Sequence, residues 1–375
     1  MSFAVDDRRH MAHALQLARQ GLYTTDPNPR VGCVLTRDGA VVGTGWHQRA
    51  GAPHAERHAL AVAGEAARGA SAYVTLEPCA HTGRTAPCAD ALIEAGVARV
   101  VMAMADPNPA GAGGAARLRA AGIAVESGLL EDEARALNPG FLRRMATGRP
   151  WVRLKLAASL DGRTAMASGE SQWITGAAAR DDVQHLRARS SAVVTGRGTA
   201  VMDRPSLTVR PQQWRYPDYP DGDVRQPLRV VLDRTLATPV DTPLITAAGG
   251  ALLLCTDAAH EQQRQALEAA GAEVQTLSAD QDRISLAAVL DELGRRACNE
   301  VLFECGAELA GDLVRAGLAD ELMVYMAPTL LGSGARPLVA LPELKQMSQQ
   351  IRLELRDLRH LGDDLRLTLA PAPSD

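Results

Sequence analysis

Short apolar runs alternate with amphipathic, alanine-rich segments along most of this chain, which is typical of an α/β protein. In the first part, the apolar runs at residues 31–35 and 41–45 flank the turn sequence Arg37-Asp38-Gly39, which predicts a β-hairpin. Helix and strand patterns then alternate as far as Met104. This order predicts a three-layer α/β domain in the first part of the chain.

The pattern restarts after residues 146–150, Ala-Thr-Gly-Arg-Pro, so we place a domain boundary at about residue 147. Domains are therefore expected at residues 1–147 and 148–375. Several apolar runs in the second part have no polar alternation, which indicates strands of a parallel sheet covered on both faces. The predicted strands of the second part are residues 151–156, 191–195, 228–233, 251–256, 301–304 and 321–328.

Four residues in the first part carry recognisable chemistry: His54, Glu56, Cys79 and Cys88. One imidazole and two thiolates form a typical catalytic zinc set, with the fourth position open for water. Zinc lowers the pKa of a bound water towards neutrality, so hydroxide becomes available as a nucleophile. Glu56 can move a proton from that water to a departing amine. The arrangement resembles the H-x-E and P-C-x-x-C motifs of nucleobase deaminases, except that eight residues separate the two cysteines.

The predicted local structure brings these ligands to the ends of regular elements. Residues 55–63 are expected to form a helix that begins at the H-A-E motif and ends near Gly64. Residues 72–76 read as a strand that ends just before Cys79. Cys88 follows Pro87 and opens a predicted helix at residues 89–95, where the helix dipole favours a thiolate.

Other histidines and cysteines of the chain admit different roles. His54 and His58 are four residues apart, as in metalloproteases, but that motif needs a glutamate directly after the first histidine, where Ala55 stands. His58 is therefore expected near the surface or behind the ligands, and His81 is a possible substrate contact. The four remaining cysteines are expected to be small buried hydrophobic residues: Cys33, Cys255, Cys298 and Cys305.

Composition narrows the class of substrate. The chain has 375 residues, 46% of them hydrophobic and 22% charged, which is typical of a globular protein of two domains. A net charge of −4 and only 3% aromatic residues argue against a nucleic-acid surface. There is no apolar signal segment and no run long enough to span a membrane. We therefore expect a cytoplasmic protein that acts on small molecules.

Two glycine-bearing turns follow predicted strands in the second part, at residues 196–199 and 306–309. Glycine lets backbone N–H groups approach a phosphate, and a following helix N-terminus favours anions. The G-x-G-x-x-G motif of dinucleotide-binding folds is absent, so a dinucleotide would be bound differently. From these residues alone, the second part is equally compatible with a binding or regulatory module.

Several strings of the chain together resemble the bifunctional riboflavin-biosynthesis deaminase/reductase family. In the first part they are H-A-E at 54–56, the T-L-E-P-C-x-H-x-G-R-T-x-P-C string at 75–88, N-P-R-V-G at 28–32 and D-P-N-P at 106–109. In the second part they are residues 155–165 and 168–175. The resemblance covers almost the whole chain. It implies a cytidine-deaminase fold in the first domain and a dihydrofolate-reductase-like fold in the second.

The resemblance also implies two consecutive reactions on one phosphorylated pyrimidine. The first domain, with Zn2+, would remove an amino group from 2,5-diamino-6-(5-phosphoribosylamino)pyrimidin-4-one by hydrolysis. The second would reduce the ribosyl group of the resulting aminouracil to a ribityl chain with hydride from NADPH. Arginine side chains suit the phosphates of substrate and cofactor, because they can form bidentate contacts.

Site residues of the second domain are implied by the same resemblance. Cofactor positions of the family fall on Ala157, Trp173, Thr199, Asp203 and the turn that begins at Gly306. Its substrate positions fall on Ser171, Arg187, Leu207, Arg210 and Glu304. Lys155 and Asp161 lie in a matching strand and turn and are candidates for orienting the ribose.

This chain departs from the family pattern at three positions of the second domain. Arg204 replaces an acidic residue after Asp203, Ala157 replaces a common glycine, and Cys305-Gly306-Ala307-Glu308 is an unusual form of the phosphate turn. Arg204 is either a contact for the 2′-phosphate of NADPH or an exposed residue.

Two other functions remain open at this point. One is a deaminase acting on a free nucleoside or tRNA, with a second domain that only binds or assembles. The other is a non-catalytic regulator, although a regulator would not need Glu56. Members of the family often form dimers, so a homodimer is possible, and the apolar run at residues 322–327 is a candidate interface strand.

Overall fold

The computed structural model describes residues 3–81, 86–214, 216, 219 and 223–372. The Gly83-Arg84-Thr85 part of the string at 75–88 lies outside the described residues. The chain divides into two compact units: Met1–Gly148 with Tyr216–Gly222, and Arg149–Arg215 with Asp223–Asp375. Each unit is built on its own main β-sheet.

The first unit contains five strands and six α-helices within the described residues. The strands are β1 (Gly32–Arg37), β2 (Ala40–Trp46), β3 (Ser71–Val74), β4 (Arg99–Met102) and β5 (Ala124–Ser127). The helices are α1 (Val5–Arg19), α2 (Ala55–Ala63), α3 (Cys88–Glu94), α4 (Gly114–Ala120), α5 (Glu131–Leu137) and α6 (Pro139–Thr147), with short 3-10 turns at Gln20–Tyr23 and Gly64–Ala67.

The sheet of the first unit has the order β2-β1-β3-β4-β5 and is antiparallel on one side and parallel on the other. The predicted hairpin joins β1 to β2 through Asp38 and Gly39, both with positive φ, as a two-residue turn requires. Alternate side chains of each strand enter two separate cores. One core packs against α2, α3 and α4, and the other packs against α1 and α5, which makes three layers.

Helix α2 lies unusually close to strand β2, because two glycines of that strand face it. A Cβ atom on Gly43 would be 2.3 Å from the carbonyl oxygen of Ala59, and one on Gly45 would be 2.4 Å from that of Ala55. Such contacts are shorter than real Cβ atoms make. The backbone of α2 therefore rests directly on the strand, and this sets the height of the helix above the sheet.

An ion-pair network anchors α1 to the sheet. The carboxylate of Asp7 accepts hydrogen bonds from Tyr73 Oη at 2.7 Å and from Arg99 Nη1 at 2.7 Å. Arg99 also donates from Nε to Glu126 at 2.7 Å, so it joins α1 to β5. Asp7 is only 6% exposed, so these bonds form in surroundings that screen charge poorly.

The second unit contains thirteen strands and six helices within the described residues. The strands are β6 (Trp151–Ser159), β7 (Arg163–Ala165), β8 (Ala192–Gly196), β9 (Leu228–Leu232), β10 (Ala251–Cys255), β11 (Glu273–Thr276), β12 (Ala279–Asp280), β13 (Arg283–Ile284), β14 (Glu300–Glu304), β15 (Glu321–Ala327), β16 (Arg336–Pro337), β17 (Leu353–Leu361) and β18 (Asp364–Pro371). The helices are α7 (Ala177–Arg189), α8 (Arg197–Met202), α9 (Pro243–Thr246), α10 (Glu261–Ala269), α11 (Leu286–Arg295) and α12 (Ala307–Arg315), with a 3-10 turn at Met347–Gln349.

Nine strands form the main sheet of the second unit in the order β11-β10-β9-β8-β14-β6-β15-β18-β17. The first seven are parallel, and β18 and β17 complete the sheet as an antiparallel hairpin. One face packs against α11 and α12, and the other packs against α7 to α10. The predicted apolar strands lie at the centre of this sheet, where both of its faces are covered.

The structure corrects three details of the sequence interpretation. The strand predicted at residues 72–76 ends at Val74. The hairpin β17–β18 was not predicted, because a register shift between Leu355 and Asp357 interrupts the alternation of apolar residues in β17. Residues 322–327 lie inside the sheet, where β15 pairs with β6 on one side and β18 on the other, so this strand has no free edge for an interface.

Among the described residues, no helix combines the length and apolar character needed to cross a membrane.

Candidate active sites

In the first unit, the three predicted metal ligands converge from three different elements. His54 is the residue that precedes α2, Cys79 follows β3, and Cys88 is the first residue of α3. Their donor atoms all lie within 4.8 Å of one another. His58, which is four residues after His54 as in metalloprotease motifs, does not belong to this cluster.

The distances in this cluster fit a zinc ion. His54 Nδ1 is 3.6 Å from Cys79 Sγ and 3.3 Å from Cys88 Sγ. A tetrahedral zinc site with ordinary Zn–N and Zn–S bonds separates nitrogen and sulfur by about 3.5 Å. The backbone N–H of Cys88 points at Cys79 Sγ at 3.3 Å, and a hydrogen bond of this kind stabilises a thiolate. The geometry and the donor set therefore both suit zinc.

The surroundings of Cys79 favour its thiolate form. Hydrogen bonding from Cys88, and then from His54, lowers the pKa of Cys79, and this favours the thiolate that binds a metal ion. Glu56 lies on the first turn of α2 and is 3% exposed. Burial raises the pKa of Glu56, although the nearby His54 opposes this, and its Oε2 has no hydrogen-bond partner among the described residues. A buried carboxylate oxygen without a partner is suited to accept a proton from a ligand.

A cavity of about 450 Å³ opens onto this cluster. It is large enough for a pyrimidine with a sugar attached. Its lining includes His54, Glu56 and Cys79, and it also includes polar residues that were not predicted as site residues: Asn28, His47, Asp106 and Asn108. His81, a possible substrate contact in the sequence interpretation, lines the same cavity.

Asn28 and His47 form a pair in the wall of the cavity. The Nδ2 of Asn28 and the Nε2 of His47 are 3.0 Å apart, while His47 Nδ1 is 3.1 Å from the carbonyl oxygen of Pro53. Burial lowers the pKa of His47 to about 4, so its ring is neutral. A ring that donates to Pro53 and accepts from Asn28 satisfies both contacts. The amide of Asn28 is thereby held in one orientation.

Three of these four additional residues belong to motifs already visible in the sequence, and His47 does not. Asn28 is in the N-P-R string, and Asp106 and Asn108 are in the D-P-N-P string. The motifs supported the family resemblance, but only the folded chain brings them to the same cavity as Cys79. Burial raises the pKa of Asp106 to about 6.

In the second unit, four predicted substrate residues lie close together. Arg187 on α7 donates to both carboxylate oxygens of Glu304, at 2.6 and 3.0 Å. A third bond from Arg187 reaches the carbonyl oxygen of Thr208, next to Leu207, which has a positive φ of 53°. Burial would raise the pKa of Glu304, but the charge and hydrogen bonds of Arg187, with smaller contributions from Lys155 and Arg210, lower it. Arg187, Glu304 and Arg210 therefore form one charged group, and Leu207 lies next to its partner Thr208 in the chain.

Three predicted cofactor residues lie where neighbouring parallel strands end. Thr199 lies in α8, which begins directly after β8, and Asp203 follows the end of that helix. Gly306 precedes α12 and is two residues beyond the end of β14. Strands β8 and β14 are neighbours, and a Cβ on Gly196 would be 3.7 Å from Leu309 Cδ2. The two glycine turns therefore meet at the carboxyl edge of the sheet, where α/β folds commonly bind ligands.

The remaining predicted residues are more dispersed. Ala157 lies on β6 and packs against the core on the α7 side. Ser171 and Trp173 lie in the loop between β7 and α7, and Trp173 is 68% exposed with the guanidinium of Arg180 4.5 Å from its ring centre. Within the described residues, no hydrogen bond or ion pair joins Ser171 or Trp173 to the charged group of Arg187, Glu304 and Arg210.

The contacts of three further candidate residues, Lys155, Asp161 and Arg204, are described by the structure. Lys155 pairs in register with Glu304, its Nζ is 5.9 Å from the ring centre of Tyr325, and burial lowers its pKa. Asp161 accepts from the backbone N–H groups of Leu331 and Gly332 at 3.1 and 2.8 Å, so it holds a loop. Arg204 donates to Asp241 at 2.9 Å, so part of the guanidinium suggested for the 2′-phosphate of NADPH is already engaged.

Comparison with known families matches both halves of the chain. The family model for the cytidine and deoxycytidylate deaminase zinc-binding region matches residues 4–104. The family model for the RibD C-terminal domain matches residues 150–367.

Similar proteins extend over the full length. The riboflavin biosynthesis protein RibD of Escherichia coli is 50% identical, over 98% of this chain and 100% of that protein. A structure of RibD from Acinetobacter baumannii is 46% identical, with a TM-score of 0.90 over 98% of this chain and 99% of that one. The diaminohydroxyphosphoribosylaminopyrimidine deaminase/5-amino-6-(5-phosphoribosylamino)uracil reductase of Thermotoga maritima is 30% identical, with a TM-score of 0.84 over 98% and 99% of the two chains.

The fold, the metal cluster and these matches define a zinc-dependent deaminase of the cytidine-deaminase class joined to an NADPH-dependent reductase. The chain belongs to the RibD family of bifunctional riboflavin-biosynthesis enzymes. The predicted fold class, the two activities and the cofactors Zn2+ and NADPH are confirmed. A nucleoside or tRNA deaminase with a passive second domain, and a non-catalytic regulator, are both less consistent with these findings.

Proposed function

We propose that this chain first deaminates 2,5-diamino-6-(5-phosphoribosylamino)pyrimidin-4-one and then reduces the ribosyl group of the aminouracil product. Particular residues of the chain are assigned to each of these two reactions. The observation that carries the proposal is the cavity of the first unit, which contains buried Glu56 beside the cluster of His54, Cys79 and Cys88. Among the residues that the structure describes, Glu56 Oε2 has no hydrogen-bond partner. Hydrolytic removal of an amine needs this combination of a metal site and a proton carrier.

In the first unit, His54, Cys79 and Cys88 would hold zinc. When bound, zinc makes a water molecule acidic enough to act as a nucleophile at neutral pH. Glu56 would accept a proton from the attacking water and donate it to the departing amine, which leaves as ammonia. Its raised pKa suits this role, because a carboxyl group must hold the proton briefly before it passes it on.

The cavity wall supplies groups that suit a substituted pyrimidine and its ribose phosphate. Asn28 is fixed by His47 and can offer its carbonyl oxygen to a ring amine. Asp106 and Asn108 stand on another wall of the same cavity and can bind hydroxyl or amine groups. A cavity with a few fixed polar groups of this kind selects a small ligand by hydrogen bonding.

In the second unit, we assign substrate binding to Ser171, Arg187, Leu207, Arg210 and Glu304. The charged group of Arg187, Glu304 and Arg210 supports this assignment, because it holds cationic donors in fixed positions near the carboxyl edge of the sheet. NADPH supplies the hydride when it is bound. Lys155 lies beside Glu304 and is a candidate for moving a proton as the ribose ring opens.

Cofactor binding is assigned to the two turns at the carboxyl edge of the sheet, together with Asp203, Ala157 and Trp173. Thr199 and Gly306 belong to these turns, and Asp203 follows α8, the helix that begins in the first turn. Within the described part of the chain, no side chain caps α12 at Gly306, so the first backbone N–H groups of that helix suit a phosphate. Ala157 and Trp173 complete the set.

The deaminase domain is assigned to residues 1–147 and the reductase domain to residues 148–375.

We also propose that the enzyme acts in the cytoplasm as a homodimer, on small molecules and not on nucleic acid. Support for a dimer comes from strand β17, the outer strand of the main sheet, on which Leu355 and Leu358 are 55% and 52% exposed. Exposed apolar residues on an edge strand commonly mark an interface. Light scattering that gives the mass of one chain would exclude the dimer.

A coupled assay tests the two reactions. The purified protein is given the diamino-pyrimidinone phosphate without NADPH, and ammonia release is measured. NADPH is then added and its oxidation is followed. We expect ammonia before NADPH is present and oxidation only afterwards. Oxidation of NADPH without earlier ammonia release would contradict the proposed order, and absence of both would contradict the proposed substrate.

A further inference from the structure

Glu77 has a position in the first unit that none of the roles above uses. It lies two residues before the metal ligand Cys79 and is 9% exposed. Its Oε1 accepts hydrogen bonds from the backbone N–H groups of Gly113 at 3.2 Å and Ala115 at 2.9 Å, and its Oε2 accepts from that of Asp106 at 3.2 Å. One carboxylate therefore holds both ends of the segment between β4 and α4.

The segment held by Glu77 forms part of the wall of the deaminase cavity. Asp106, Asn108 and Gly111 all line that cavity, and so does Glu77. Within the segment, the N–H of Asn108 donates to Asp106 Oδ1 at 2.9 Å, and the N–H of Gly111 donates to the carbonyl oxygen of Asn108 at 2.8 Å. The side chains that face the substrate are thus carried on a compact turn whose two ends are attached to one residue.

The same segment is pressed against the turn that carries Cys79. The N–H of Ala80 donates to the carbonyl oxygen of Gly111 at 3.1 Å, and the N–H of Glu77 donates to that of Met104 at 3.0 Å. A Cβ on Gly114 would be only 1.7 Å from the carbonyl oxygen of Pro78. Since the two turns touch through their backbones, a small shift of one relative to the other would change the distance between the metal ligands and the substrate-facing side chains.

We propose that Glu77 is a positioning residue for the deamination reaction, a role that rests on the function proposed above. Both of its carboxylate oxygens are engaged by backbone N–H groups, so it acts through Asp106 and Asn108 and not as a proton carrier. The carboxylate holds the Asp106–Gly113 turn at a fixed distance from Cys79. It thereby sets substrate affinity, while the metal cluster and Glu56 set the rate of the chemical step.

Two variants test this role. Glu77→Gln keeps the shape of the side chain but has only one acceptor oxygen, so its amide N–H2 must face at least one backbone N–H. Glu77→Ala removes every acceptor. The matched control is Glu131→Gln, which changes an exposed glutamate on α5 whose only described partner is Arg135, at 3.2 Å. Each protein is assayed for ammonia release, zinc content, thermal unfolding and NADPH oxidation with the aminouracil substrate.

We expect the KM for deamination to rise about tenfold in Glu77→Gln and further in Glu77→Ala, because a buried N–H loses a charged acceptor. The kcat should stay within about threefold, because a group that orients substrate contributes mainly to binding when the chemical groups are intact. Zinc content, NADPH oxidation and the control variant should match the wild type. Substrate binding to Glu56→Gln, with and without Glu77→Gln, should show the same loss of affinity without turnover.

Three results would overturn the proposal. If thermal stability falls while KM is unchanged, Glu77 is only structural. If zinc is lost, Glu77 acts through Cys79 and not through the turn. If kcat falls and KM does not change, Glu77 takes part in the chemical step. A wild-type enzyme that releases no ammonia would instead overturn the proposed substrate, so the wild-type measurement separates the two failures.

Discussion

Arg187 and Glu304 form a bidentate ion pair in the second unit, with 10% and 11% of their side chains exposed. Arg187 also reaches the carbonyl oxygen of Thr208, so one guanidinium joins α7, the end of β14 and the segment that follows Leu207. Because the guanidinium is planar and has several N–H groups, it can donate hydrogen bonds to three acceptor oxygens at once.

Replacing Arg187 by lysine should impair the reductase selectively. A lysine ammonium keeps the charge but cannot make the paired contact, so NADPH oxidation should fall by at least about tenfold. Ammonia release should equal that of the wild type, because the deaminase groups lie in the other unit. Arg295→Lys, a matched change at a side chain 69% exposed on α11, is the control. Equal loss of both activities would show that the variant is misfolded.

Replacing Glu56 by glutamine should abolish deamination while zinc remains bound. The amide cannot carry a proton, and a general acid–base group commonly contributes a factor of about 10² to 10⁴ to the rate. Elemental analysis should find zinc at the wild-type ratio, and reduction of the aminouracil substrate should continue. Ammonia release at the wild-type rate would refute the assigned role of Glu56.

Removing the metal should separate the two activities. A chelator should stop ammonia release, because His54, Cys79 and Cys88 would no longer hold zinc. NADPH oxidation with the aminouracil substrate should persist, and added Zn2+ should restore ammonia release. If chelation stops both reactions together, the metal has a structural role for the whole chain.

Replacing Asp7 by asparagine should lower stability at neutral pH. Hydrogen bonds from Arg99 hold the pKa of Asp7 well below its usual range, so its contribution is present above the unfolded pKa and lost as the pH falls through the folded pKa. We expect the free energy of unfolding to drop by about 2 kcal/mol at pH 7. The difference from wild type should shrink below about pH 4.

The control for that measurement is Asp6→Asn. Asp6 is 74% exposed and pairs with Arg9 at 3.3 Å on the surface of α1, where an ion pair contributes little. Urea unfolding of both variants, followed at several pH values, gives the comparison. An equal loss in the two variants would mean that burial of the Asp7 pair does not matter.

The zinc site could be predicted because its residues belong to short motifs at the ends of predictable elements. His54 opens a helix, Cys79 follows a strand and Cys88 opens another helix, so local patterns already indicate that they meet. Arg187 and Glu304 are 117 positions apart, and no local pattern pairs them. Only the family resemblance suggested that they share a site.

The position of Glu77 could not have been predicted in the same way. Its partners are backbone N–H groups of Asp106, Gly113 and Ala115, and backbone groups leave no trace in the residue types of a sequence. The missed hairpin has a similar origin, because the bulge near Leu355 changes which side chains of β17 face the same way. Apolar periodicity identifies regular strands, while irregular pairing requires the folded chain.

The contact between α2 and the glycines of β2 limits which positions of this enzyme can vary during evolution. Any side chain at Gly43 or Gly45 would lift the helix that starts after His54 and contains Glu56. A new substrate preference is therefore expected to arise through polar residues that line the cavity outside this helix, such as Asn108. At Gly43 and Gly45, by contrast, the backbone of α2 lies too close to the strand for any other residue to be tolerated.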